Sequence, residues 1–140
     1  MGSVELLLVE DNPGDVRLFV EALKEARMEA RLHHAEDGVK AMEFLRRGQP
    51  RPDLIFLDLN LPRKDGHEIL AEIKADAGLK SIPVIVLTSS PAEQDVRESY
   101  DLHANCYICK PVGLESFIRV IRSIDEFWLR AARLPTERGK

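Results

Sequence analysis

The sequence predicts an α/β fold, a doubly wound five-stranded parallel sheet with helices on both faces. Three observations predict it. Short, nearly continuous apolar runs such as Leu54-Ile-Phe-Leu57 and Ile82-Pro-Val-Ile-Val-Leu87 lack the polar alternation of a half-solvated sheet and suit strands buried on both sides. Segments with apolar residues at helical spacing separate these runs, so that strand and helix alternate five times. Right-handed crossovers then place helices on both faces of one sheet, with strand order 2-1-3-4-5.

The elements follow in order. Val4–Val9 reads as the first strand, ending at Glu10-Asp11-Asn12. Asn12 followed by Pro13 is a helix start, and Val16, Phe19, Val20 and Leu23 keep a 3.6-residue period through about Arg27. Leu18 falls on the opposite face of that helix, as a singly exposed leucine. Residues 29–35 alternate weakly and form the second strand, in which His33 and His34 point to opposite faces and make no metal pair. Asp37-Gly38 opens a short helix buried through Val39, Met42, Phe44 and Leu45 and ending at Gly48, and Gln49 to Pro52 connects it to the third strand. After Asp58 the loop Leu61-Pro-Arg-Lys-Asp-Gly66 leads to a helix with Ile69, Leu70 and Ile73 inward, closing by Gly78. The fourth strand spans 82–87 and ends at Thr88-Ser89-Ser90. Pro91 starts a charged helix to about Leu102, with Val96 and Tyr100 on one side. Cys106–Cys109 is the last strand, followed by Lys110-Pro111 and a long helix from about Gly113 to Ala131. Residues 1–131 make one domain and 132–140 a polar tail.

Composition narrows the function. The 140 residues are 44% hydrophobic and 31% charged, with a net charge of -4, which argues against phosphate-backbone binding and hence against nucleic acid. The apolar runs are far below the roughly 20 residues that span a bilayer, and no signal core opens the chain, so a cytoplasmic protein without membrane contact is expected. Met1-Gly2 fails the myristoylation pattern because Leu6 stands where Ser or Thr is wanted. Cys106 and Cys109 have redox-motif spacing, but Tyr107 and Ile108 between them are strand formers; two small apolar core thiols are expected instead.

Four strands end in Glu10-Asp11, Asp58, Thr88 and Lys110, and in a parallel sheet all four ends lie on one edge. Singly, each has an ordinary role: a turn aspartate, a turn threonine, a surface lysine. Together they form a constellation. The order 2-1-3-4-5 makes the first and third strands neighbours at the switch point, which brings Asp11 beside Asp58. Carboxylates gathered there repel one another unless a cation joins them, and oxygen-only ligands suit Mg2+. Lys110 as a point charge and Thr88 as a donor are what a phosphoryl group requires, with Asp58 as the carboxylate nucleophile.

This set, at these spacings and over residues 4 to about 128, resembles the receiver domain of two-component response regulators, a flavodoxin-like fold. The resemblance implies that Asp58 is the phosphoacceptor for a sensor histidine kinase. It implies that Mg2+ is held by Asp11, Asp58 and the backbone carbonyl of Asn60, with Glu10 reaching it through water. It implies that Lys110 pairs with phosphoryl oxygens, that Lys110-Pro111 is a cis bond, and that Thr88 and Tyr107 are switch residues acting on the surface of the fourth helix, fifth strand and fifth helix. Such a protein is not an enzyme beyond its own phosphorylation and dephosphorylation. Glu10 stands where many relatives have Asp, and Ser89 is small, as the pattern wants.

The chain leaves no room for an output domain after the fifth helix, so a stand-alone receiver is expected. Leu114, Phe117, Ile121, Ile124, Trp128 and Ala131 form the inner stripe of that helix, while Ile118, Val120 and Phe127 widen its apolar arc. A homodimer through the fourth helix, fifth strand and fifth helix, with Phe127, Trp128 and Ile118 in the interface, is the expectation; a tail folded back over the aromatics is the alternative. The stretches Asp11–Leu18, Ala104–Pro111 and Ile124–Trp128 resemble the small receivers that partner bacterial and cyanobacterial phytochrome kinases. Two other functions stay open: a phosphorelay intermediate serving a second histidine protein, and a phosphate-independent interaction module on the same fold.

Overall fold

Alternation along each strand sorts the core into two layers. In the computed structural model, which describes residues 4–61, 64–89, 92–131 and 134–135, five parallel strands lie in the order β2-β1-β3-β4-β5. They are β1 (Val4–Val9), β2 (Ala30–Ala35), β3 (Leu54–Leu57), β4 (Val84–Thr88) and β5 (Cys106–Cys109). The helices are α1 (Pro13–Glu25), α2 (Gly38–Arg47), α3 (Gly66–Ala75), α4 (Glu93–Asp101) and α5 (Leu114–Ile124). Leu7, Val9, Ile55, Leu57, Val84 and Val86 face one way and pack with Met42 and Leu45 of α2 and Ile69, Leu70 and Ile73 of α3. Their neighbours Leu6, Leu8, Leu54, Phe56, Ile85 and Leu87 face the other way, onto Phe19 and Leu23 of α1 and Phe117, Ile121 and Ile124 of α5. Phe19 stands edge-on to Phe56 at 4.9 Å and to Phe117 at 6.2 Å between ring centroids, which ties both helices to the central strand.

Local chemistry ends the elements where the residues dictate. The Asn12 side chain accepts from the Asp15 N–H at 3.0 Å with Pro13 in the first turn, and Asp37 Oδ1 accepts from the Lys40 N–H at 2.8 Å. Gly48 closes α2 at φ 79°, a left-handed conformation that glycine adopts without penalty. Lys74 leaves α3 to donate to the carbonyls of Lys80 and Ile82, both at 2.9 Å, and to Asn105 Oδ1 at 3.1 Å, so one ammonium ties the helix to the starts of β4 and β5.

Several expectations are corrected. β4 begins at Val84, not at 82, because Pro83 has no N–H for the ladder; its carbonyl still accepts from the Ile55 N–H at 3.0 Å. The Pro91 start of the fourth helix lies outside the described residues, and α4 begins at Glu93. Leu18 is not solvated: it packs half-buried against the second layer. Cys109 is exposed and Cys106 half-buried, on the strand that stands at one end of the sheet order. The last helix is α-helical only to Ile124 and continues as a π-helix over Asp125–Ala131. Bonding from i to i+5 lowers the rotation per residue. Leu129, which a continued α-helix would carry well off the Ile124 face, therefore joins Trp128 in packing against the second layer.

Candidate functional site

Backbone hydrogen bonds carry the sheet one residue past three of its strands and thereby place the polar ends. The Glu10 N–H donates to the Ala35 carbonyl at 3.0 Å, the Asp58 N–H to the Val9 carbonyl at 3.1 Å, and the Lys110 N–H to the Thr88 carbonyl at 2.7 Å. Glu10, Asp58, Thr88 and Lys110 thus share one edge, over the β1–β3 switch point.

Asp58 is buried, and both its carboxylate oxygens are engaged. Oδ1 accepts from the Thr88 hydroxyl at 2.8 Å and from the Asn60 N–H at 3.2 Å; Oδ2 lies 3.1 Å from Lys110 Nζ. The same ammonium contacts Glu10 Oε1 at 2.7 Å and Asp15 Oδ2 at 2.6 Å. One cation therefore holds three carboxylates together. Burial alone works to lower the Lys110 pKa, but hydrogen bonds to Asp15 and Glu10 and the charges of Glu10 and Asp58 outweigh it, and the net shift is upward. Glu10 is 3% exposed, and its carboxyl is pushed up to about 7, first by burial and further by the charge of Asp58, against the pull of Lys110 and of the Asn12 N–H.

Oxygen atoms of Glu10, Asp11 and Asp58 lie within 4.8 Å of one another, with Asp11 on the solvent side. An all-oxygen donor set of this size, open on one side, fits a hard divalent cation that keeps several waters. The described geometry thus joins Glu10, Asp11, Asp58, Asn60, Thr88 and Lys110. Tyr107 stands apart, half-buried against the first layer, with its N–H donating to the Tyr100 hydroxyl at 3.2 Å.

Two points depart from the sequence reading. Lys110-Pro111 is not cis; the cis bond among the described residues is Gln49-Pro50. The lysine is aimed instead by its backbone bond to Thr88 and by the three carboxylates around its ammonium. Asp15 joins the site without following a strand: it lies in the first turn of α1, where a side chain returns toward the strand edge just left. That helix start, two residues after Pro13, was the available signal.

Sheet order, crossover pattern and this edge of carboxylates, hydroxyl and lysine define a class, and the chain belongs to the response regulator receiver domain family, whose pattern matches residues 6–122. Among individual proteins it is similar to the response regulator Rcp1 of Synechocystis sp., 48% identical over 135 residues that cover 93% of this chain and 92% of Rcp1. Of solved structures, the phosphorylated cyanobacterial phytochrome response regulator RcpA superposes with a TM-score of 0.90 at 48% identity, covering 96% of this chain and all of RcpA. The Mn(2+)-bound form of Rcp1 does so with a TM-score of 0.86 at 47% identity, covering 95% and 99% of the two chains. Among the described residues no helix is long and apolar enough to cross a membrane.

Proposed function

We propose that this receiver takes a phosphoryl group from the phosphohistidine of a phytochrome-type sensor kinase onto Asp58, with Mg2+ as cofactor. The observation that carries the reading is the Asp58 carboxylate itself, buried yet reached by Thr88, Lys110 and the Glu10–Asp11 oxygens at the sheet edge. In the transfer an Asp58 oxygen attacks phosphorus, an O–P bond forms as the N–P bond breaks, and the leaving imidazole regains its proton from solvent. Glu10, Asp11, Asp58 and the Asn60 carbonyl would hold the metal, whose charge offsets repulsion between carboxylates and the incoming phosphoryl oxygens. Lys110 exchanges a carboxylate partner for a phosphoryl oxygen, and Thr88, freed from Asp58, donates to another.

Intact-mass measurement after treatment with a small acyl phosphate tests this. Wild type is expected to gain one phosphoryl group in a metal-dependent manner, and Asp58→Asn none. An adduct of equal yield on Asp58→Asn would move the nucleophile elsewhere. Back-transfer to a histidine phosphotransfer protein separates a terminal regulator from a relay.

Output passes through a protein contact on this reading, and Thr88 and Tyr107 are the residues that would report phosphorylation to the α4-β5-α5 surface. Phe127 supports a homodimer there. It is 58% exposed, packs edge-on against Trp128 at 5.4 Å, and borders an apolar groove of about 310 Å3 lined by Cys106, Ile108, Val120 and Ile124. A protruding ring beside a groove on one patch is self-complementary across a two-fold axis. Trp128 lines the same groove, and Ile118 packs half-buried against the second layer. Light scattering is expected to give twice the monomer mass for wild type and the monomer mass for Phe127→Glu; a monomeric wild type, with and without phosphoryl analogue, removes the dimer.

A further inference from the structure

We propose that His67, Asp95 and Glu98 form a second metal site, separate from the oxygen-only cluster and suited to Zn2+, which clamps α4 to the start of α3. One ligand atom from each of the three residues lies within 4.8 Å of the other two. Asp95 and Glu98 are three residues apart on α4 and present one face, while His67 stands in the first turn of α3 opposite them.

The imidazole points to a metal by what each nitrogen does. Nε2 is shut off from solvent and makes no hydrogen bond among the described residues, although Glu98 Oε1 lies 3.5 Å away. A buried nitrogen that lies 3.5 Å from a carboxylate of the cluster without bonding it has its lone pair available. On the other side of the ring, Asp65 Oδ2 lies 3.4 Å from Nδ1. A carboxylate there draws the ring proton to Nδ1 and leaves Nε2 as the ligating nitrogen, the arrangement in which a carboxylate orients a metal-bound histidine.

The donor set selects the ion. One imidazole and two carboxylates, with room for water on the exposed Glu98 side, suit tetrahedral Zn2+, whose bonds of about 2.0–2.2 Å place ligand atoms roughly 3.3–3.6 Å apart. The His67–Glu98 separation already falls in that range. Mg2+ prefers oxygens alone and is directed to Glu10, Asp11 and Asp58 instead. The consequence concerns α4, in which Ser99 is the buried residue and the side chains are mostly charged. With so little core holding it, the position of α4 is open to an added clamp, and Zn2+ would favour the arrangement seen here, in which Tyr100 accepts from the Tyr107 N–H.

Calorimetric titration of the full chain with ZnCl2 at neutral pH, in excess Mg2+ to fill the oxygen cluster, tests the site. Wild type and Asp58→Asn are each expected to bind one Zn2+. His67→Gln is expected to lose that binding, and Asp95→Asn combined with Glu98→Gln to weaken it by about tenfold or more. Co2+ in place of Zn2+ should give a visible absorption band in wild type that His67→Gln lacks. No Zn2+ uptake by wild type, uptake undiminished in His67→Gln, or uptake lost only in Asp58→Asn would each overturn the proposal. Should His67→Gln fail to fold, the doubly substituted chain, altered only in α4, decides in its place.

Discussion

Gly66→Ala is expected to lower the stability of the protein by about 3 kcal/mol or more, the upper range for forcing a methyl group into a packed interior. A Cβ at this position would overlap the Leu59 Cα and stand 2.6 Å from the Asp58 carbonyl oxygen and 2.9 Å from that of Leu59. All three neighbours are backbone, so no rotamer change relieves the clash. Nor can the helix simply withdraw: the Gly66 N–H donates to the Leu59 carbonyl at 3.0 Å, and Ile69, Leu70 and Ile73 of the same helix are fully buried in the first layer. Relief must come from the segment that carries Asp58 and Leu59, itself buried. The substitution should therefore disturb the carboxylate edge as well as the fold. Urea unfolding with an unchanged slope and a lowered midpoint is the expected result. A midpoint equal to that of wild type would show that α3 does not approach the loop this closely.

Lys110→Met is expected to cost roughly 3–5 kcal/mol in chelated buffer, the usual consequence of removing one partner from a buried ion pair. The ammonium now joins Glu10, Asp15 and Asp58 at 2.7, 2.6 and 3.1 Å, and its side chain is only 10% exposed. Methionine keeps the aliphatic length and removes the charge, leaving Glu10 and Asp58 facing each other inside the protein. A divalent ion at the neighbouring oxygens supplies positive charge by another route, so millimolar Mg2+ should recover more stability in the variant than it adds to wild type. Thermal unfolding of both chains with and without Mg2+ measures this. Equal melting temperatures in chelator would mean that the three carboxylates do not depend on the lysine.

Much of the site was legible because its residues sit at ends of apolar runs, and a run that stops is a signal carried in one dimension. Glu10, Asp58, Thr88 and Lys110 each follow such a run, and a parallel sheet puts every run's end on the same side. Asp15 escaped because it follows no strand; it reaches Lys110 only because α1 starts beside β1, across 95 residues of chain. Lys110-Pro111 departs from its expected cis form for a related reason: what aims the lysine is a set of distant carboxylates, not its own peptide bond.

The same boundary runs through the fold. Strand and helix positions, the two-layer core and the order of the sheet follow from local hydrophobic period and from the handedness of crossovers, both properties of neighbouring residues, and these the chain determines by itself. Burial at the surface does not. Leu18 and Ile118 are half-buried against the second layer, Cys109 is exposed on the edge strand β5, and the change to π-helix after Ile124 lets both Trp128 and Leu129 reach one cluster. The pairing of His67 with Asp95 and Glu98 belongs here too. Which side chains meet across elements depends on how whole helices pack, a sum of many weak contacts over long separations, and only the tertiary structure decides it.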